Sequence, residues 1–171
     1  FSSAARVFLE QAPADIREKV ISILKEKHTK TSKTLNSKLQ VAIQIRKGGK
    51  LGDASWNEMR LRNQPIDYYI SVIKNIYKVL GEDKVDIHIY SEGKYLEFLK
   101  LKLMTKSKLH LCDNLYPELF SNTTEMINAD ILVTARSGFS YLLGHLSDAV
   151  VLSNIDLSVP FLINDKFIAV N

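Results

Sequence analysis

The sequence predicts an α/β fold: a Rossmann-like parallel sheet of about five or six strands with helices on both faces. Three observations predict it. Short apolar runs alternate with segments of helical period at the spacing of βα units. Pro, Gly and capping residues punctuate the boundaries between them. The 171 residues are 46% hydrophobic and 25% charged, enough apolar material for a packed core and the length of one domain.

The elements follow in order. Pro13, Ala14 and Asp15 open a helical pattern with apolar Ile16, Val20, Ile23 and Leu24. Residues 28–38, "HTKTSKTLNSK", read as a polar loop, so residues 1–38 form a helical segment and loop before a core over 39–171. "LQVAIQIR", 39–46, alternates like a strand, and a glycine-bearing loop runs from Lys47 to Asn63. Pro65 suits a first helical turn, and Ile66, Tyr69, Ile70, Ile73, Ile76, Tyr77 and Leu80 form one apolar stripe that Gly81 closes. Strands follow at 84–90, 108–112, 130–134 and 149–152, with helices at 94–104, 116–128 and 138–147 between them. The tail "PFLINDKFIAVN" fits either a final strand or a hairpin turning at Asn164 and Asp165.

Composition excludes several function classes. The net charge of +4 permits an anionic ligand and is too small to argue for nucleic acid. No apolar run approaches the roughly 20 residues of a membrane-spanning helix. Cys112 is the single cysteine, so neither an intrachain disulfide nor a cysteine-cluster metal site is available. It reads as a buried, inert thiol in "LHLC". His28, His88, His110 and His145 show no short metal-ligand spacing, and structural roles are expected for His88 and His110. A single cysteine and no signal-peptide pattern favour a cytoplasmic location. The start lacks Met, so a companion domain in a longer protein is expected to remain open.

Ligands of parallel sheets sit outside the carboxyl ends of the strands. Two strand ends draw attention. After Ile45 come Arg46, Lys47, Gly48 and Gly49. Arginine is permanently charged and offers a planar fork for phosphate oxygens, and glycine lets a backbone come close. The bland alternative is a solvated turn. After Thr134 comes "ARSGFSYL", where Ser137 is positioned to cap a helix that begins at Gly138. A helix start is a ready anion site. Ala135 excludes a Gly-x-Ser-x-Gly nucleophile elbow. Both ends are expected on one rim, where together they would hold a diphosphate.

Here the sequence resembles a family. "VAIQIRKGG" resembles the His-x-Arg-x-Gly-Asp strand end of fucosyltransferase-like glycosyltransferases of the GT-B type. "RNQPIDYY" is similar to their Leu-Pro-x-x-Tyr-Tyr helix start, and "DIHIYSEG" to the next strand and turn. "NADILVTARSGFSYLLGHLS" is similar to their serine-rich block and is the most specific match. The resemblance spans about Leu39 to Leu152, the nucleotide-sugar-binding half of those two-domain enzymes. Gln44 stands in place of the family's His, Gly49 of its Asp and Gly138 of its second Ser.

The resemblance implies metal-independent, inverting transfer from a nucleoside-diphosphate sugar, GDP-fucose being one candidate, to a glycan or glycoconjugate hydroxyl. It implies that Arg46 binds the diphosphate and stabilises the leaving group, and that Ser137, Gly138, Phe139 and Ser140 bind phosphate, with Gly48 beside them. Asp53 is the expected acceptor-activating carboxylate and Glu58 the second choice. No resident cofactor or metal is expected. The departures at 44 and 49 motivate an alternative: an inactive nucleotide-sugar- or glycan-binding module of a multidomain protein. A third reading is a polyanion-binding module built on the lysine-rich segments.

Overall fold

A computed structural model describes residues 38–47, 63–112, 116–154 and 167–169. The helix expected before residue 28, the glycine loop with Gly48, Gly49, Asp53 and Glu58, and the Asn164–Asp165 turn lie outside these residues.

The elements are β1 (Leu39–Ile45), α1 (Ile66–Leu80), β2 (Val85–Ser91), α2 (Leu99–Met104), β3 (Ser107–Leu111), α3 (Tyr116–Ile127), β4 (Ile131–Thr134), α4 (Gly138–Leu146), β5 (Val150–Ser153) and β6 (Phe167–Ala169). The six strands form one sheet in the order β3-β2-β1-β4-β5-β6, and every neighbouring pair is parallel. This is the α/β, Rossmann-like arrangement the alternation predicts. The tail supplies a final parallel strand, β6, beside β5.

Alternation along β1 decides which helix covers which face. Val41, Ile43 and Ile45 point to one side, where they pack with Ile87 and Ile89 of β2 and Tyr69, Ile73 and Ile76 of α1. Leu101 of α2 joins the same cluster. Ala42 points to the other side, with Tyr90, Leu132, Met126 of α3 and Leu142, Leu143 and Leu146 of α4. Helices on opposite faces are what right-handed crossovers produce when the chain winds first one way from β1 and then the other. Ile43, Ile73 and Ile89 are wholly enclosed, and each contributes about 1.5–3 kcal/mol by leaving water.

The ends of α1 show how local chemistry sets these bounds. Pro65 precedes it with extended backbone (φ −63°, ψ 149°). Gly81 ends it at φ 92°, a value that disfavours side chains, while its N–H donates to Tyr77 O at 2.9 Å. The helix expected over 94–104 divides in two: a 3₁₀ turn over Tyr95–Phe98, then the single α-turns of α2. Glu97 explains the tight start, because its carboxylate accepts the Lys94 N–H at 2.8 Å. No helix among the described residues is long and apolar enough to cross a membrane.

Candidate functional site at the β1–β4 rim

The strand order makes β1 and β4 neighbours whose connections leave in opposite directions. The crevice outside their carboxyl ends is the topological switch point of the sheet. β1 runs beside β4 with Val41, Ala42 and Ile43 opposite Ile131, Leu132 and Val133. Two residues beyond this ladder come Ile45 and Arg46 on one strand, Ala135 and Arg136 on the other. The two sequence-predicted ends therefore lie on one rim.

Ser137 is the N-cap of α4. Its backbone is extended (φ −150°, ψ 152°), and its hydroxyl accepts the Ser140 N–H at 3.1 Å. The Ser137 and Ser140 hydroxyl oxygens stand 2.6 Å apart. Ser140 in turn donates its hydroxyl to Gln44 Oε1, which also faces the Ala135 N–H at 3.4 Å. One proton order satisfies the whole chain: Ser137 donates to Ser140, and Ser140 donates to Gln44. Gln44, Ser137 and Ser140 are all buried. Gln44 is thus the link that pins the serine block to β1.

This arrangement refines the expectation for the block. Ser140 is wholly enclosed, and its hydroxyl faces Gln44 and Ser137 within the protein. Gly138 is the exposed member, at the head of the helix, where the dipole is positive. Phe139 is half-buried and packs against the second core cluster. Arg46 and Lys47 are both partly exposed at the end of β1.

Further rim residues were not visible in the sequence motifs. Arg136 reaches the end of β5: Nε donates to Asn154 O at 3.3 Å and a terminal nitrogen to Asn154 Oδ1 at 2.5 Å. Its charge also acts on the phenols of Tyr68 and Tyr69 at the start of α1. Burial pushes both phenols above their usual range, and Arg136 partly opposes it. Their rings meet edge to face at 5.1 Å. Lys47 is held on the other side: its N–H donates to Glu92 Oε1 at 3.1 Å, its carbonyl accepts Asn63 Nδ2 at 3.4 Å, and its ammonium lies 5.3 Å from the Phe98 ring centre. Asn63 Oδ1 and the Tyr68 and Tyr69 hydroxyls are enclosed without a hydrogen-bond partner among the described residues. Groups of this kind carry a desolvation cost that a polar ligand or water relieves.

No protein-family model, no curated protein and no solved structure matches this chain. Two adjacent strand ends here carry guanidinium groups and a helix start, and this chemistry suits an anion.

Proposed function

We propose that the chain binds a nucleoside-diphosphate sugar at the β1–β4 rim and serves as the donor-binding part of an inverting, fucosyltransferase-like glycosyltransferase. One observation carries the reading: Arg46 and the N-terminus of α4 follow neighbouring parallel strands at the switch point. A diphosphate offers one phosphate to each. As the sugar–phosphate bond breaks, negative charge grows on the departing β-phosphate. Arg46 and the dipole at Gly138 oppose that charge, which is how preorganised donors lower a barrier. Ser137 and Ser140 then act by building the helix start rather than by touching phosphate. The acceptor hydroxyl loses its proton to a carboxylate, for which Asp53 is the candidate.

A second reading is favoured by the internal engagement of the two serine hydroxyls and by Gln44 in place of the family's His: the same ligand is bound without transfer. Thermal shift tests the shared part. A nucleoside diphosphate is expected to raise the melting temperature more than the monophosphate, and Arg46→Lys to weaken diphosphate binding by about 1–3 kcal/mol through loss of the fork. Equal shifts for both nucleotides, or unchanged affinity in Arg46→Lys, refute the site. Release of nucleoside diphosphate from a sugar donor in the presence of glycan acceptors separates transferase from binding module.

A further inference from the structure

A second cluster lies away from this rim, at the β2–β3 edge of the sheet under α3. His88 and Tyr90 alternate on the α3 face of β2, and Tyr90 lies opposite His110 of β3. The diagonal step from His88 to His110 is within reach of two imidazoles. Their rings are 5.0 Å apart and within 10° of parallel, and His88 Nδ1 stands 2.9 Å from His110 Nε2. The ring of Tyr90 lies 4.7 Å from that of His110. Above them α3 brings Glu125, whose carboxylate lies within 4.8 Å of both histidine nitrogens. The histidines are half-buried and Glu125 is exposed, so the cluster opens towards solvent.

Glu125 and His88 are each held from behind. Tyr90 donates its hydroxyl to Glu125 Oε2 at 2.7 Å. Asp86 Oδ2 lies 3.3 Å from His88 Nε2, off the line of a hydrogen bond but close enough to draw the ring proton to that nitrogen. Lys108 fixes Asp86 in turn, at 2.7 Å. A carboxylate behind one ring nitrogen leaves the lone pair on the other, here Nδ1, which faces His110. A small ring rotation would turn the Asp86 contact into the carboxylate hydrogen bond that supports metal-binding histidines.

We propose that His88, His110 and Glu125 form a site for a first-row divalent transition metal ion, with zinc as the simplest case. Two imidazoles and a carboxylate are a borderline donor set, suited to zinc, cobalt or nickel and poorly suited to calcium or magnesium. Tetrahedral nitrogen ligands about 2.0–2.1 Å from zinc stand about 3.3 Å apart. The 2.9 Å separation of His88 Nδ1 and His110 Nε2 is that of a proton-bridged pair, and a few tenths of an ångström of ring motion admit the ion in place of the proton. Three protein ligands leave a further position for water or another small ligand.

Titration of untagged, chelator-stripped protein with zinc by calorimetry, and with cobalt by visible absorption, tests this. One equivalent is expected to bind, with the cobalt spectrum of a nitrogen- and oxygen-ligated ion. His110→Ala is expected to weaken binding about 100-fold or more, and Glu125→Gln and Asp86→Asn about 10-fold each. Cys112→Ser is expected to leave affinity unchanged. Glu125 is exposed, so Glu125→Gln keeps the test open if His110→Ala does not fold. Absence of one-equivalent binding below millimolar metal, or affinity unaltered in Glu125→Gln, leaves a hydrogen-bonded histidine pair and overturns the proposal. Loss of binding in Cys112→Ser overturns it equally, by placing the ion elsewhere.

Discussion

Replacing Gln44 by Met tests whether the serine block is held to β1 as the hydrogen bonds indicate. Met fills a similar volume in a buried position without a polar atom to accept hydrogen bonds. The Ser140 hydroxyl then loses its acceptor, and the Ala135 N–H loses a weaker one at 3.4 Å. A buried donor left unsatisfied costs about 1–3 kcal/mol. The long Ala135 contact belongs at the low end, so the variant is expected to lose about 2–4 kcal/mol in all. Ser140→Ala removes the other side of the link and is expected to lose about 1–2 kcal/mol. With both substitutions the Gln44–Ser140 link itself leaves no orphan, while the Ala135 N–H and the Ser137 hydroxyl lose the same partners as in the single variants, and the double variant should be more stable than the sum of the two losses by about 1–2 kcal/mol. Urea unfolding of all four proteins, with slopes compared so that only the midpoint moves, measures the cycle. Losses that add to within about 0.5 kcal/mol would refute the coupling. So would a Gln44→Met variant as stable as the parent.

Three further outcomes are expected. Ser137→Ala removes the cap of α4 and should lower stability by about 0.5–2 kcal/mol, while Ser137→Asp should restore most of it, both read by thermal melting. Arg136→Lys loses the forked contact to Asn154 and should cost about 1–2 kcal/mol, with amide exchange accelerated where β4 and β5 end and unchanged in β2. Alkaline pH should destabilise the fold. Tyr69 and Tyr90 are raised above the usual phenol value of 10.0, chiefly by burial. Above pH 10 the native state therefore holds protons that the unfolded state has released, and their stabilisation, complete below that pH, declines as pH rises. Phenolate absorbance from these two residues should appear together with unfolding rather than before it.

That the two strand ends share one rim was legible because it needs only βα alternation, which makes the strands parallel; their direct adjacency rests on the strand order. In the structure β1 and β4 become neighbours because the chain winds outward from β1 and then returns across the sheet. The Ser137 cap was legible because its chemistry is local: a serine, then a glycine, then helical spacing. Gln44 was not legible in the same way. The partner that its amide meets lies on α4, where Ser140 is 96 residues away. The His88–His110 contact escaped for a similar reason. Metal ligands are sought at short spacings, whereas these two are 22 residues apart and meet only because β2 and β3 pair in parallel. Arg136 carries no motif signal of its own in the serine block. Its partner Asn154 follows the neighbouring strand β5, so its role rests on sheet order.

The strand order has a consequence for assembly. Read outward from its middle, the sheet divides at the β1–β4 seam into two sets of three strands, and the chain fills one set before starting the other. The seam is latched at both ends by polar groups. At the base, Asp130 Oδ2 accepts the Gln40 N–H at 2.8 Å, and the Asp130 N–H donates back to Gln40 O at 2.8 Å. At the rim, Gln44 meets Ser140 and Ala135. A cut between Cys112 and Tyr116 would therefore yield two fragments that share no strand, with Arg46 on one and Gly138 on the other. Any ligand that grips both acts as an adhesive between them. Mass action then requires that it tighten fragment association by the same factor by which association tightens its own binding. Mixing the two fragments with and without a nucleoside diphosphate would read that factor directly, and a ligand held by one fragment alone would leave association unchanged.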